Sequence, residues 1–102
     1  SFDIVSMFSV LTHQYPDDTA YILTMLRRYV RPHGHLFFTC FLDDTIRSFE
    51  DRSAEQNAGR CHYNPAFLEG LVARCGWELT ARYVAEPPLI GDSFVCRPVP
   101  LP

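Results

Sequence analysis

The sequence has no excess of basic charge: nine Lys and Arg residues face twelve Asp and Glu, for a formal net charge of −3 over 102 residues. Binding to a polyanion draws its energy from cations that displace counterions, so nucleic acid and anionic membrane surfaces are poor partners for this chain. No apolar run approaches the roughly 20 residues that cross a bilayer. The sequence opens on Phe2-Asp3-Ile4-Val5 with neither a basic leader segment nor a small-residue cleavage site, so no targeting segment is expected. There is no internal repeat and no low-complexity tract. The cysteines, Cys40, Cys61, Cys75 and Cys96, stand at wide, unpatterned spacings, three of them inside apolar segments where a reduced thiol is a small core residue. A reducing, cytoplasmic setting follows as the expectation, with Cys61 as the one thiol expected at the surface.

What is present is enough apolar material for a core: 47% hydrophobic, 14% aromatic and 21% charged residues, in a length that suits one domain over 1–102. Phe2 to Phe8 reads as a strand too uniformly apolar to have a solvated face. Pro16 opens a helix with Asp17 and Asp18 on its positive end, facing inward through Leu23, Leu26 and Val30 and ending at Pro32 and Gly34. A second strand over His35–Phe41 again suits a sheet covered on both faces. Residues 42–62 form a polar insert, predicted to carry one short helix near Asp44–Phe49. Asn64-Pro65 caps the next helix, whose buried stripe is Phe67, Leu68, Leu71, Val72 and Cys75 and which Gly76 ends in a left-handed turn. Trp77, Leu79, Ala81 and Tyr83 alternate with polar residues, as in a strand with one wet face or at a sheet edge. Ser93–Arg97 is a last short strand. The order β-α-β-α-β-β predicts an α/β domain, mostly parallel, with a closing antiparallel hairpin.

In such a sheet, ligands lie outside the carboxyl ends of the strands, here the segments after Phe8 and after Phe41. His13 is the ionisable group of the first segment, able to act as a general base, to orient a substrate, or simply to hydrogen-bond the loop into the helix. His33-x-His35 and Cys61-His62 lack the tight pairings of a zinc site, so no metal is expected. Arg27, Arg28 and Arg31 read as the basic end of a helix.

Phe2-Asp3-Ile4-Val5, Phe8-Ser9-Val10-Leu11-Thr12-His13, Leu26-Arg27-Arg28 and Val30-Arg31-Pro32-His33-Gly34-His35-Leu36 together resemble the second half of a class I, Rossmann-like S-adenosylmethionine-dependent methyltransferase. In that family the fourth strand opens on Phe-Asp and ends in a Ser-Val-Phe-Thr-His-like turn. A helix closing on Leu-Arg-Pro-Gly-Gly then leads to the fifth strand. Here Leu11 replaces the phenylalanine and His33 the first of the two glycines. Tyr63-Asn64-Pro65-Ala66-Phe67-Leu68 and Cys75-Gly76-Trp77-Glu78 are similar to the family's helix and turn before its sixth strand. The resemblance covers nearly the whole chain.

The resemblance implies S-adenosyl-L-methionine as cofactor, with Phe8, Ser9 and Val10 flanking its methionine part. Thr12 and His13 would face the transferring methyl, with His13 the candidate base or substrate orienter. Thr39, Phe41, Asp43 and Asp44 would help form the acceptor pocket for a small molecule or glycan. The family's Gly-rich loop and first strand have no counterpart, since none of the five glycines forms Gly-x-Gly. Only one wall of the cofactor cleft is therefore expected, and the chain reads as a C-terminal fragment, inactive without an N-terminal half. The alternative is a non-enzymatic α/β interaction module that pairs with a partner or with itself through the strand Phe2–Phe8.

Overall fold

The structure, a computed structural model, describes residues 2–7, 14–52, 61–86 and 91–99. Along the chain run β1 (Phe2–Met7), α1 (Pro16–Leu26), β2 (Val30–Leu42), β3 (Phe49–Asp51), β4 (Cys61–Tyr63), α2 (Pro65–Arg74), β5 (Trp77–Tyr83) and β6 (Asp92–Pro98). The strands form one sheet in the order β3-β4-β2-β6-β5, and β1 lies parallel to the first part of β2. β1 and β4 thus share one edge of β2, one after the other, while β6 takes the opposite edge.

The expected parallel majority does not hold. β2 is parallel to β1 and β4, but β6 is antiparallel to both β2 and β5, and β3 is antiparallel to β4. The sequence order predicts a mostly parallel sheet with a closing antiparallel hairpin. The β5–β6 hairpin forms, but its second strand inserts between β2 and β5, where it replaces a parallel pairing with two antiparallel ones.

Both helices pack on the same face. Alternate residues of β2, Leu36, Phe38 and Cys40, are fully buried there with Phe94 and Cys96 of β6, Cys61 and Tyr63 of β4, and Trp77 of β5. Leu23 of α1 and Leu68, Leu71 and Val72 of α2 close this core from above. The Trp77 indole N–H donates to the Leu23 carbonyl over 2.9 Å, which satisfies the one polar atom of that ring inside the core. The opposite face, with Ile4, His35, Phe37, Thr39, Phe41 and Val95, is covered by no described helix, contrary to the doubly covered sheet expected from the apolar strands.

Helix α2 follows its sequence signals. The Asn64 side chain accepts from the Phe67 N–H at 3.1 Å, Pro65 occupies the first turn, and Gly76 adopts φ +92° beyond the C-terminus. Helix α1 opens at Pro16 as expected but ends at Leu26, and Val30 already belongs to β2. The Phe2 N–H reaches the Tyr29 carbonyl, and Phe2 pairs with Val30 before the ladder resumes at Ile4 and His35. Pro32 falls in the intervening irregularity, where its missing N–H costs no ladder bond. Arg27 is not simply a basic helix end: its guanidinium donates to the carbonyls of Gly76, at 2.9 Å, and Val99, tying three chain segments together.

Two other expectations change. No helix forms near Asp44–Phe49. Ser48 and Ile46 instead give their carbonyls to the Asn64 backbone and side chain, and the chain proceeds into β3. The β5 alternation breaks at a register shift between Leu79 and Ala81, so Arg82 pairs with Phe94 and turns to the helix face while Tyr83 remains exposed.

His33 and Gly34, neighbours in the first part of β2, have opposite tolerance. A Cβ on Gly34 would sit 2.6 Å from Val30 Cγ1 and 2.7 Å from the Asp3 carbonyl oxygen, whereas the His33 side chain is 79% exposed. Gly34→Ala is therefore expected to lower stability by about 1–3 kcal/mol in urea unfolding. His33→Ala should change it by less than about 0.5 kcal/mol.

Candidate functional site at the carboxyl end of β2

The candidate site lies where β1 and β2 end. Phe8, Ser9, Val10, Thr12 and His13 lie outside the described residues, so the site is built here from β2 and the segments that pack on its end. Thr39 and Phe41 project from the same face of β2, the one the helices leave open, as the two-residue period of a strand requires. The Phe41 ring stacks on His62, its register partner in β4, at 5.4 Å between centroids and 26° between planes. On its other side stands Gly91, where a Cβ would meet the ring at 3.2 Å.

Asp43 and Asp44, adjacent in sequence, part company in space. The Asp43 carboxylate accepts from the Thr45 N–H at 2.9 Å and from its hydroxyl at 2.5 Å, the geometry of an Asx turn, and also pairs with the Arg52 guanidinium. Arg52 also bonds Glu50 through Nε at 3.0 Å. The Thr45 hydroxyl and the Arg52 cation hold the Asp43 carboxyl well below the usual carboxylate range. Asp43 is thus a fixed anion whose oxygens are already committed, while Asp44 is exposed at the turn. Arg52 has no local signal in the sequence: β3 brings it back beside Asp43 across nine residues.

The segment that follows His13 is pinned from below. Tyr63, fully buried, donates its hydroxyl proton to the Gln14 carbonyl at 2.8 Å and accepts from Thr19 Oγ1 at 2.8 Å. Burial keeps the Tyr63 phenol neutral by raising its pKa. Tyr15 hydrogen-bonds the Asp51 carboxylate, and its ring lies 4.8 Å from Phe49, which in turn meets Tyr63 edge-on at 5.3 Å. The polar insert therefore supplies the wall that anchors Gln14 and Tyr15. Alternation across Cys61 and Tyr63 could have flagged this inward face in the sequence, since His62 between them points the other way.

Cys61 is buried rather than exposed, and all four thiols are free. Burial pushes Cys40 and Cys96 up to about 12 and raises Cys61, so none of the three is an activated nucleophile. Among the described residues no cluster of His, Cys, Asp and Glu could hold a metal ion, and no helix is long and apolar enough to cross a membrane.

No protein-family profile and no curated protein sequence matches the chain. Solved structures do. A Burkholderia thailandensis 1,6-didemethyltoxoflavin-N1-methyltransferase, with S-adenosylhomocysteine bound, superposes with a TM-score of 0.76 at 19% identity over 97% of this chain and 44% of its own. The chain has the fold of S-adenosylmethionine-dependent methyltransferases. Mitomycin 7-O-methyltransferase superposes with a TM-score of 0.74 at 15% identity, over 97% of this chain and 30% of that enzyme. A third similar structure, described as a pericyclic reaction enzyme, scores 0.70 at 15% identity over 94% of this chain and 26% of its own. The chain spans between 26% and 44% of the length of these three structures.

The Asp43 cluster gives a pH prediction. Its folded pKa is depressed, so its contribution to stability is present above the unfolded value of about 3.9 and is lost as pH falls through the folded one. Asp43→Asn should lower the melting temperature at pH 7, and thermal melts should show the gap to the parent protein narrowing as pH drops below about 4.

Proposed function

We propose that the chain is the C-terminal part of an S-adenosylmethionine-dependent methyltransferase acting on a small molecule or glycan, and that it is inactive without the rest of the fold. The observation that carries this reading is the superposition over 94–97% of the chain onto enzymes of which it makes up only part. Two of those enzymes bear the names of small-molecule methyltransferases, one of 1,6-didemethyltoxoflavin and one of mitomycin. The pericyclic enzyme among the similar structures means that fold alone does not select methyl transfer. That choice rests on the named methyltransferases and on the motif resemblance.

The open flank of the sheet supports the missing-half reading. Among the described residues β1 pairs with β2 alone, with Phe2 57% and Ile4 61% exposed. Tyr21 and Met25, one turn apart on α1, and Tyr29 beyond its end are also exposed, and the Tyr29 carbonyl accepts from the Phe2 N–H. A strand and a helix from the remainder of the polypeptide would cover edge and stripe together. Free, buried thiols are consistent with a cytoplasmic setting.

The described residues do not by themselves hold S-adenosylmethionine. β1 ends at the buried Met7, and the Asp43 carboxylate at the end of β2 is taken up by Arg52 and Thr45. When bound, the cofactor supplies an electrophilic methyl group. In this reading Phe8, Ser9 and Val10 form its wall. His13 takes a proton from the acceptor or orients it, and Thr12, Thr39, Phe41 and Asp44 border the acceptor. Asp43 shapes that border through its ion pair with Arg52.

Calorimetric titration of the chain with S-adenosylmethionine should show no saturable heat, and clear saturable binding would sink the half-fold reading. Light scattering after size-exclusion should find the isolated chain self-associating through its open flank, with Ile4→Lys shifting it toward monomer. A stable monomer from the parent sequence would count against an exposed half-sheet.

A further inference from the structure

The register shift at Thr80 creates a feature that the methyltransferase reading does not use. By turning Arg82 onto the helix face, it lines a cavity of about 150 Å³ between α2 and the sheet, whose walls are Leu42, Pro65, Leu79 and Phe94 and whose charged groups are Glu69 and Arg82. The cavity lies on the face opposite to Thr39 and Phe41. It opens to solvent beside the exposed Glu69, and its volume is enough for a small ring.

The two charges that line the cavity do not pair with each other. Glu69 and Arg82 line the same cavity, yet Glu69 forms no ion pair or hydrogen bond with any described residue. Arg82 is held in place by Asp92, whose Oδ2 accepts from Nε at 2.9 Å and from Nη2 at 2.7 Å, while Oδ1 accepts from the Ala85 N–H at 3.1 Å. These bonds use two of the five guanidinium N–H groups and fix the orientation of the rest. An anchored cation and a solvent-exposed carboxylate flank an apolar slot, and the cation is ordered by Asp92 before anything binds.

We infer that this cavity binds a free α-amino acid with an apolar side chain, its carboxylate on Arg82, its ammonium on Glu69 and its side chain between Leu79 and Phe94. A single-charge ligand satisfies only one of the two groups. An amino acid without a side chain leaves the apolar walls wet. The inference is independent of the methyltransferase reading and stands or falls separately from it.

The test is a titration of the ¹⁵N-labelled chain with L-phenylalanine, followed by amide shifts. Saturable shifts centred on Glu69, Leu79, Arg82 and Phe94 are expected, with phenethylamine, phenylacetate and glycine each binding at least about tenfold more weakly. Glu69→Gln, at an exposed position that bonds no described residue, should fold normally, weaken L-phenylalanine about tenfold and leave phenylacetate unchanged. Absence of saturable shifts, equal binding of either single-charge analogue, or an unchanged affinity in Glu69→Gln would each overturn the inference. The comparison of analogues on the parent chain decides the matter even where the variant does not fold.

Discussion

Everything described in this molecule hangs on β2. Its 13 residues are long enough to serve β1 and then β4 along one edge and β6 along the other. Leu36, Phe38 and Cys40 form the floor under both helices. Because a strand alternates, the same residues that build this core commit Phe37, Thr39 and Phe41 to the opposite face. The candidate acceptor side chains are therefore placed by the packing of the core beneath them. A one-residue slip of β2 would exchange the two sets and lose both.

Among the described residues, two helices cover one face of a six-stranded sheet, and no helix covers the other face or the outer edge of β1. The chain is self-consistent on the covered side: the indole of Trp77, the hydroxyl of Thr19 and the phenol of Tyr63 all have partners in the core. The open side carries exposed Phe2 and Ile4 instead. The chain also overlays almost completely on larger proteins while spanning only part of each.

The insert after β2 is more than a polar connection. β3 and β4 bring Tyr63, Phe49 and Asp51 under Gln14 and Tyr15, and bring Arg52 to Asp43. The segment entering α1 and the end of β2 are consequently fixed by the same few residues. A change in the insert would be felt at both sides of the candidate site. Arg27 performs a comparable service at the other end of the molecule, where it bonds the turn after α2 and the end of β6.

Local chemistry sufficed for some of this. Asn64, Pro65 and Gly76 delimit α2 because capping and left-handed turns are decided within a few residues, and Pro16 opens α1 for the same reason. The apolar strands and the ordered motifs were also legible, and they pointed to the fold that the superpositions bear out. Sequence alone could not decide that β6 inserts beside β2, that Thr80 breaks the parity of β5, that Cys61 is buried, or that Asp43 meets Arg52. Each of these depends on which segments meet across the sheet. Such pairings are set by the burial of one shared face and the completion of backbone hydrogen bonds between distant segments, and neither is encoded in the spacing of neighbouring residues.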